Sequence, residues 1–135
     1  MALELSGLEK AMGSLDEAIQ YAEHLPQGIN FKIVRDSIIQ HFEYTYELSW
    51  KLLQRWIKIN VAPEDAEPRT KKDLFRTAAK KDMIRNPEIW FEFAEARNSV
   101  THTYNEKSAE YVYKIALKFL PEVKVLYHAL ATNND

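Results

Sequence analysis

FKIVRDSIIQHFEYTYELSWKLLQRWIKIN, residues 31–60, decides the fold. Ile39, Phe42, Tyr46, Ser49, Trp50, Leu53 and Ile57 recur at gaps of three and four, which marks one face of a helix and excludes the alternation of a strand. Thirty residues at 1.5 Å each give a helix of about 45 Å, long enough to be the spine of a bundle. Pro26, Gly28 and Asn30 lie in front of it. Pro63 and Pro68 bracket the polar loop VAPEDAEPR behind it.

The same period appears on both sides of this spine. Leu5, Leu8, Met12, Leu15, Ile19 and Ala22 make an earlier stripe, with Ser6 and Glu9 spaced as a capping box, although Leu3 and Leu5 suggest an earlier helix start. Thr70 and Asp73 repeat that box and open a short helix through about Asp82, with Leu74, Phe75, Ala78 and Ala79 on its apolar side. Asn86-Pro87 reads as an N-cap followed by Pro at the first helical position. Trp90, Phe93, Ala94 and Arg97 follow along one stripe. Asn105 caps a last helix with apolar positions from Ala109 to Leu130, where Pro121 is expected to kink or break the pattern. The fold class is all-α: an antiparallel up-and-down bundle of four to five helices in one domain spanning residues 1–135.

Composition narrows the function. The chain has no cysteine, so disulfides and thiolate metal sites are excluded. The four histidines, His24, His41, His102 and His128, lack a metal-ligand spacing, and no cofactor or metal is called for. No apolar run approaches the roughly 20 residues of a membrane span, and the N-terminus lacks the pattern of a signal peptide. A cytoplasmic protein with no membrane partner is the expectation. The net charge is −2, yet residues 69–85 carry seven cations against Asp73 and Asp82, an excess of +5. Lys72, Arg76 and Lys80 lie four apart within it. Such a run is commonly a solvated face, but this excess suits an anionic partner: an acidic protein, a nucleotide or RNA. The many aromatic residues exceed what a small core needs and are expected in part at a dimer interface.

Chemistry gathers at ARNSVTHTYNE, residues 96–106. Arg97 clamps phosphate oxygens well, and His102 moves protons near neutral pH. With a ribose 2′-OH as nucleophile, that pair needs no metal. Asn98 and His102 share a helical face, whereas Arg97 and His102 diverge by roughly 140° on a straight helix. A joint role then requires the helix to end near His102, or a two-fold dimer. A capped helix end with a dipole-favoured Arg and His is the simpler reading of these residues alone. Glu43, Glu47 and Lys51 are spaced four apart, as an ordinary helical ion-pair series would be. Apolar neighbours flank both acids, and Arg97 is the expected cationic partner. Arg35 and Asp36 are likewise expected to pair with another helix. There is neither a Gly-rich phosphate loop nor a Gly-Ser with paired aspartates, so nucleotidyl transfer is not chemistry of this chain.

RDSIIQHFEYTYELSWKLL (Arg35–Leu53) and WFEFAEARNSVTHTYNEKSAE (Trp90–Glu110) resemble, in order, the two signatures of the nucleotidyltransferase substrate-binding proteins, within the HEPN superfamily of helical bundles. The resemblance implies a HEPN-like bundle that dimerises through its helices and has a minimal nucleotidyltransferase, encoded nearby, as partner. It implies a partner subunit that binds nucleotide or nucleic-acid phosphate in a polar cleft at the dimer interface. The alternative it implies is a metal-independent ribonuclease toxin in which Arg97 and His102 are catalytic. Asn98 then fits the polar residue after the arginine. Tyr104 fits the site at which the nucleotidyltransferase antitoxin attaches AMP. Glu43 and Glu47 fall in the first signature with a supporting role.

Overall fold

A computed structural model of the chain describes residues 2–61, 70–102 and 105–134, with the backbone alone for 100–102. The proline-bracketed loop, Arg69 and Tyr104 lie outside the described residues, as does the side chain of His102. Among the described residues the elements are all helices: α1 Ser6–Glu23, α2 Phe31–Asn60, α3 Lys71–Lys80, α4 Pro87–His102 and α5 Glu106–Thr132.

Short polar side chains set most of the helix starts. Asn30, Thr70 and Asn105 each accept a hydrogen bond from a first-turn N–H, from Lys32, Asp73 and Ser108 at 2.9, 3.2 and 2.9 Å. Asn86 accepts from Glu88 at 3.0 Å in front of Pro87. The first helix starts without the capping box that Ser6 and Glu9 allowed. Ser6 is already helical, and Glu4 takes its N–H at 3.0 Å, so the Ser6–Glu9 spacing does not form a capping box.

α3 stops two residues short of Asp82. Met83 N–H donates to Ala78 O at 3.0 Å and Asp82 N–H to Ala79 O at 3.1 Å, the paired bonds of a Schellman end. That end requires a left-handed residue, and Asp82 supplies it at φ 60°. Met83, buried, packs the chain back into the core. Asp tolerates this conformation better than bulky residues and worse than glycine. Thermal melts should rank Asp82→Gly above the native protein by about 0.5 kcal/mol, and Asp82→Val below it by about 1–2 kcal/mol.

The long helices form an up-and-down bundle. Leu3 N–H donates to Asn134 Oδ1 at 2.7 Å, which puts the start of α1 at the end of α5. Arg35 near the start of α2 meets Glu106 at the start of α5, and Trp56 near its end donates to Asn133 O at 3.3 Å. α2 and α5 therefore run parallel and pack against each other through the middle. α1 and α4 flank them in the opposite sense, and α3 lies against α4 and α2. α5 continues through Pro121 rather than breaking there. The carbonyl deprived of a donor belongs to Leu117, and both residues lie on an exposed face where water can satisfy it.

Aromatic rings interlock at the centre. Phe119 of α5 meets Phe42 of α2 and Phe93 of α4, each with centroids 5.1 Å apart, and Trp90 at 5.7 Å. Phe75 of α3 reaches Trp90 at 5.4 Å. Edge-to-face packing of this kind adds to area burial. The core of one chain thus takes up many of its aromatic residues, while Tyr21, Phe31, Tyr44 and Tyr111 remain exposed.

Candidate functional site

Arg97 closes the stripe that begins with Trp90 and Phe93. Those two rings are fully buried, and the next position on that face emerges at the edge of the core. From there the guanidinium crosses to α2. Its Nη1 lies 3.5 Å from Glu43 Oε2 and its Nε 3.6 Å from Glu47 Oε1. The arginine is 26 % exposed and the acids 24 % and 30 %, so the triad is half-withdrawn from water rather than a surface ion pair. The expected pairing of Arg97 with these acids is thus present.

Other groups fix the acids in turn. Trp50 Nε1–H donates to Glu47 Oε2 at 3.1 Å, and Lys51 Nζ stands 3.8 Å from the same oxygen. Burial pushes the Glu43 carboxyl above its usual range, opposed by the Arg97 cation and reinforced by the neighbouring Glu47 charge. Beneath them lies the Tyr46 hydroxyl, buried with no hydrogen-bond partner among the described residues, and burial pushes its ionisation upward. Gln40, Glu43, Tyr44, Glu47 and Arg97 line a cleft of about 320 Å³. Gln40 and Tyr44 escaped the sequence reading. Their spacing of i, i+4 with Glu43 and Glu47 at i+3 and i+7 marks one helical face, which Arg97 as anchor would have singled out.

His102 is the last residue of α4 among the described residues, five positions after Arg97, and its side chain lies outside them. Asn98 is exposed and does not line the cleft. Tyr104 lies outside the described residues; Glu106, at the start of α5, is the first described acid after it. Buried Arg35 grips Glu106 through both terminal nitrogens, at 3.0 and 3.2 Å, and Asp36 through Nε at 3.2 Å. This fork holds the Arg35 guanidinium ionised and lowers the Glu106 carboxyl below its usual range. Here too the expected pairing of Arg35 with another helix is present.

Lys72, Arg76 and Lys80 form an exposed stripe on α3 and do not line the cleft. Among the described residues no cluster of three or more His, Asp or Glu has the placement to hold a metal, and no helix is long and apolar enough to cross a membrane. A larger cavity, about 540 Å³ between α1 and α2, is lined by Ala18, Tyr21, Ile33 and Val34 and includes neither Arg97 nor the two acids.

Known proteins share this fold. A Haemophilus influenzae protein named probable ribonuclease HepT is 30 % identical over 139 residues, covering 98 % of this chain and 95 % of that one. A solved H. influenzae structure, described as revealing the fold of a substrate binding domain of a nucleotidyltransferase, matches with a TM-score of 0.82 and 27 % identity over 95 % of this chain and 99 % of that one. A crystal structure from Thermus thermophilus matches at 0.72 and 26 % over 91 % and 98 %. The family described as nucleotidyltransferase substrate binding protein like covers residues 3–132. With a match across almost the whole chain, this protein belongs to that family.

Proposed function

We propose that this protein is the ribonuclease half of a two-component pair whose other half is a minimal nucleotidyltransferase, and that it acts as a homodimer. The observation that carries this reading is the half-buried Arg97, held between Glu43 and Glu47 five residues before the histidine that ends α4. The likeness to a probable ribonuclease over nearly the full chain favours RNA cleavage over simple binding.

The chemistry follows from the residue types. The ribose 2′-oxygen forms a bond to phosphorus while the bond to the 5′-oxygen breaks. His102 takes the 2′-OH proton, and the leaving 5′-oxygen takes one from water. Arg97 neutralises the charge gathering on the phosphoryl oxygens, with Glu43 and Glu47 keeping its fork in place. The products are a 2′,3′-cyclic phosphate and a 5′-hydroxyl. Asn98, on the face of His102, holds RNA or the imidazole. AMP attached to Tyr104, two residues from His102, adds an anion that competes with RNA phosphate for Arg97 and silences the enzyme.

One observation favours a second reading, a non-catalytic subunit that binds substrate for the nucleotidyltransferase. Two carboxylates around one guanidinium leave the cleft acidic, which suits hydrogen bonding to a nucleobase better than capture of a phosphate. Expression in a heterologous host separates the two. The ribonuclease reading expects growth arrest by the native protein, its relief by His102→Ala, and its relief by a co-expressed nucleotidyltransferase with one AMP mass added at Tyr104. Growth arrest unchanged by His102→Ala contradicts it, and harmless expression of the native protein favours the binding subunit.

A further inference from the structure

The basic helix α3 does more than carry charge. Lys71 Nζ sits 4.6 Å from the ring centroid of Trp50 and 5.8 Å from that of Tyr46. On the other flank, Lys72 Nζ and the Arg76 guanidinium lie 5.5 and 5.3 Å from the centroid of Phe91 on α4. Each flank thus interleaves a cation with a half-exposed aromatic face. Between residues 70 and 85 six cations stand against Asp73 and Asp82. Arg76 shares its charge with Asp73 at 3.5 Å, and Lys72 and Lys80 are exposed along the same stripe.

This surface connects to the cleft. Trp50, under Lys71, is the residue that donates to Glu47, and Glu47 contacts Arg97. Along α4, Phe91 and Arg97 are six residues apart, about 9 Å of rise. The acidic cleft attracts phosphate poorly by itself, whereas the adjoining face supplies the missing positive potential.

We infer that α3, with Trp50 and Phe91, is a binding track for single-stranded RNA that leads into the Arg97 cleft; this rests on the ribonuclease reading. Lys72, Arg76 and Lys80 take backbone phosphates. Trp50 and Phe91 offer ring faces to unstacked bases when Lys71, Lys72 and Arg76 swing aside. Interleaved cations and rings match a strand of phosphates and bases, where an acidic protein surface uses only the charge.

The test measures fluorescence anisotropy of a labelled single-stranded RNA of about 20 nucleotides across a salt series. It uses the full chain carrying His102→Ala so that the probe survives. A Lys72→Gln/Arg76→Gln/Lys80→Gln variant changes only exposed positions, and circular dichroism verifies its fold. It should bind at least about ten-fold more weakly near 0.1 M salt, with a log–log salt slope shallower by about 2, at about 0.7 per lost phosphate contact. Phe91→Leu should weaken binding about five-fold with its slope unchanged. Polyglutamate is the competing probe. RNA binding untouched by the triple variant overturns the track, and polyglutamate binding lost with RNA binding unaltered assigns α3 to an acidic protein instead. Wild-type cleavage that ignores the α3 cations overturns the track alone. RNA binding without cleavage by the wild type overturns only the ribonuclease reading.

Discussion

Phe119→Ala should lower the unfolding free energy by about 3–5 kcal/mol, measured from urea midpoints at constant slope. Phe119 is fully buried, and its ring touches Phe42 of α2 and Phe93 and Trp90 of α4 from α5. Truncation removes those edge-to-face contacts together. It leaves a cavity walled by three helices that are fixed elsewhere, so collapse recovers little. A domain of this size has a total stability of about 5–15 kcal/mol, so the variant should stand close to unfolding at ambient temperature. Phe119→Leu keeps most of the volume and should cost about 1–2 kcal/mol. A loss below about 1 kcal/mol for the alanine variant would mean that the ring cluster does not hold the helices together. The consequence reaches the site, because Phe42 and Phe93 set the spacing of the two helices across which Arg97 meets Glu43 and Glu47.

On the proposed ribonuclease function, Arg97→Ala should reduce RNA cleavage by at least about 10²-fold, the usual loss when one donor to a developing oxyanion is removed. It should also change how stability depends on pH. Burial already raises the folded Glu43 carboxyl above its ordinary value near pH 4.5, with Arg97 opposing the rise. Without Arg97 the value rises further. A carboxyl raised in the folded state favours folding below its unfolded value, and this contribution is lost as pH rises through the folded value. Arg97→Ala should therefore resemble the native protein near pH 4 and fall behind it as pH approaches 7. The gap should be about 1–2 kcal/mol, reduced from that of a fully buried pair because all three side chains remain about a quarter exposed. Arg97→Lys keeps the cation without the fork. It should restore most of the stability and little of the cleavage. Equal melting behaviour of Arg97→Ala and the native protein at pH 4 and 7 would contradict this account of the cleft.

The sequence disclosed most where physics is local. The bounds of α2 follow from apolar spacing and a capping asparagine, and Asn86-Pro87 marks the start of α4 for a similarly short-range reason. Ser6–Glu9 misled because Glu4, two residues earlier, supplies the competing carboxylate. Pro121 leaves α5 unbroken because its lost bond faces solvent, which periodicity does not reveal. Which rings interlock was hidden, because contact across helices depends on their register, a tertiary property. For the site, the partner of Arg97 was legible, since half-buried acids require a cation and one lay on a neighbouring stripe. Gln40 and Tyr44 complete the cleft through helix placement that no single segment encodes. The charge of α3 was plain in the sequence, but the Trp50 and Phe91 rings under its cations appear only once α3 is laid against α2 and α4.

The most direct measurement incubates purified native protein with a labelled single-stranded RNA in excess EDTA, alongside His102→Ala purified in the same way. Cleavage by the native protein to fragments ending in 2′,3′-cyclic phosphate, reduced at least about 10²-fold in His102→Ala, is the predicted result. Intact RNA with both proteins, or equal cleavage by both, would contradict the assignment of Arg97 and His102 to RNA cleavage.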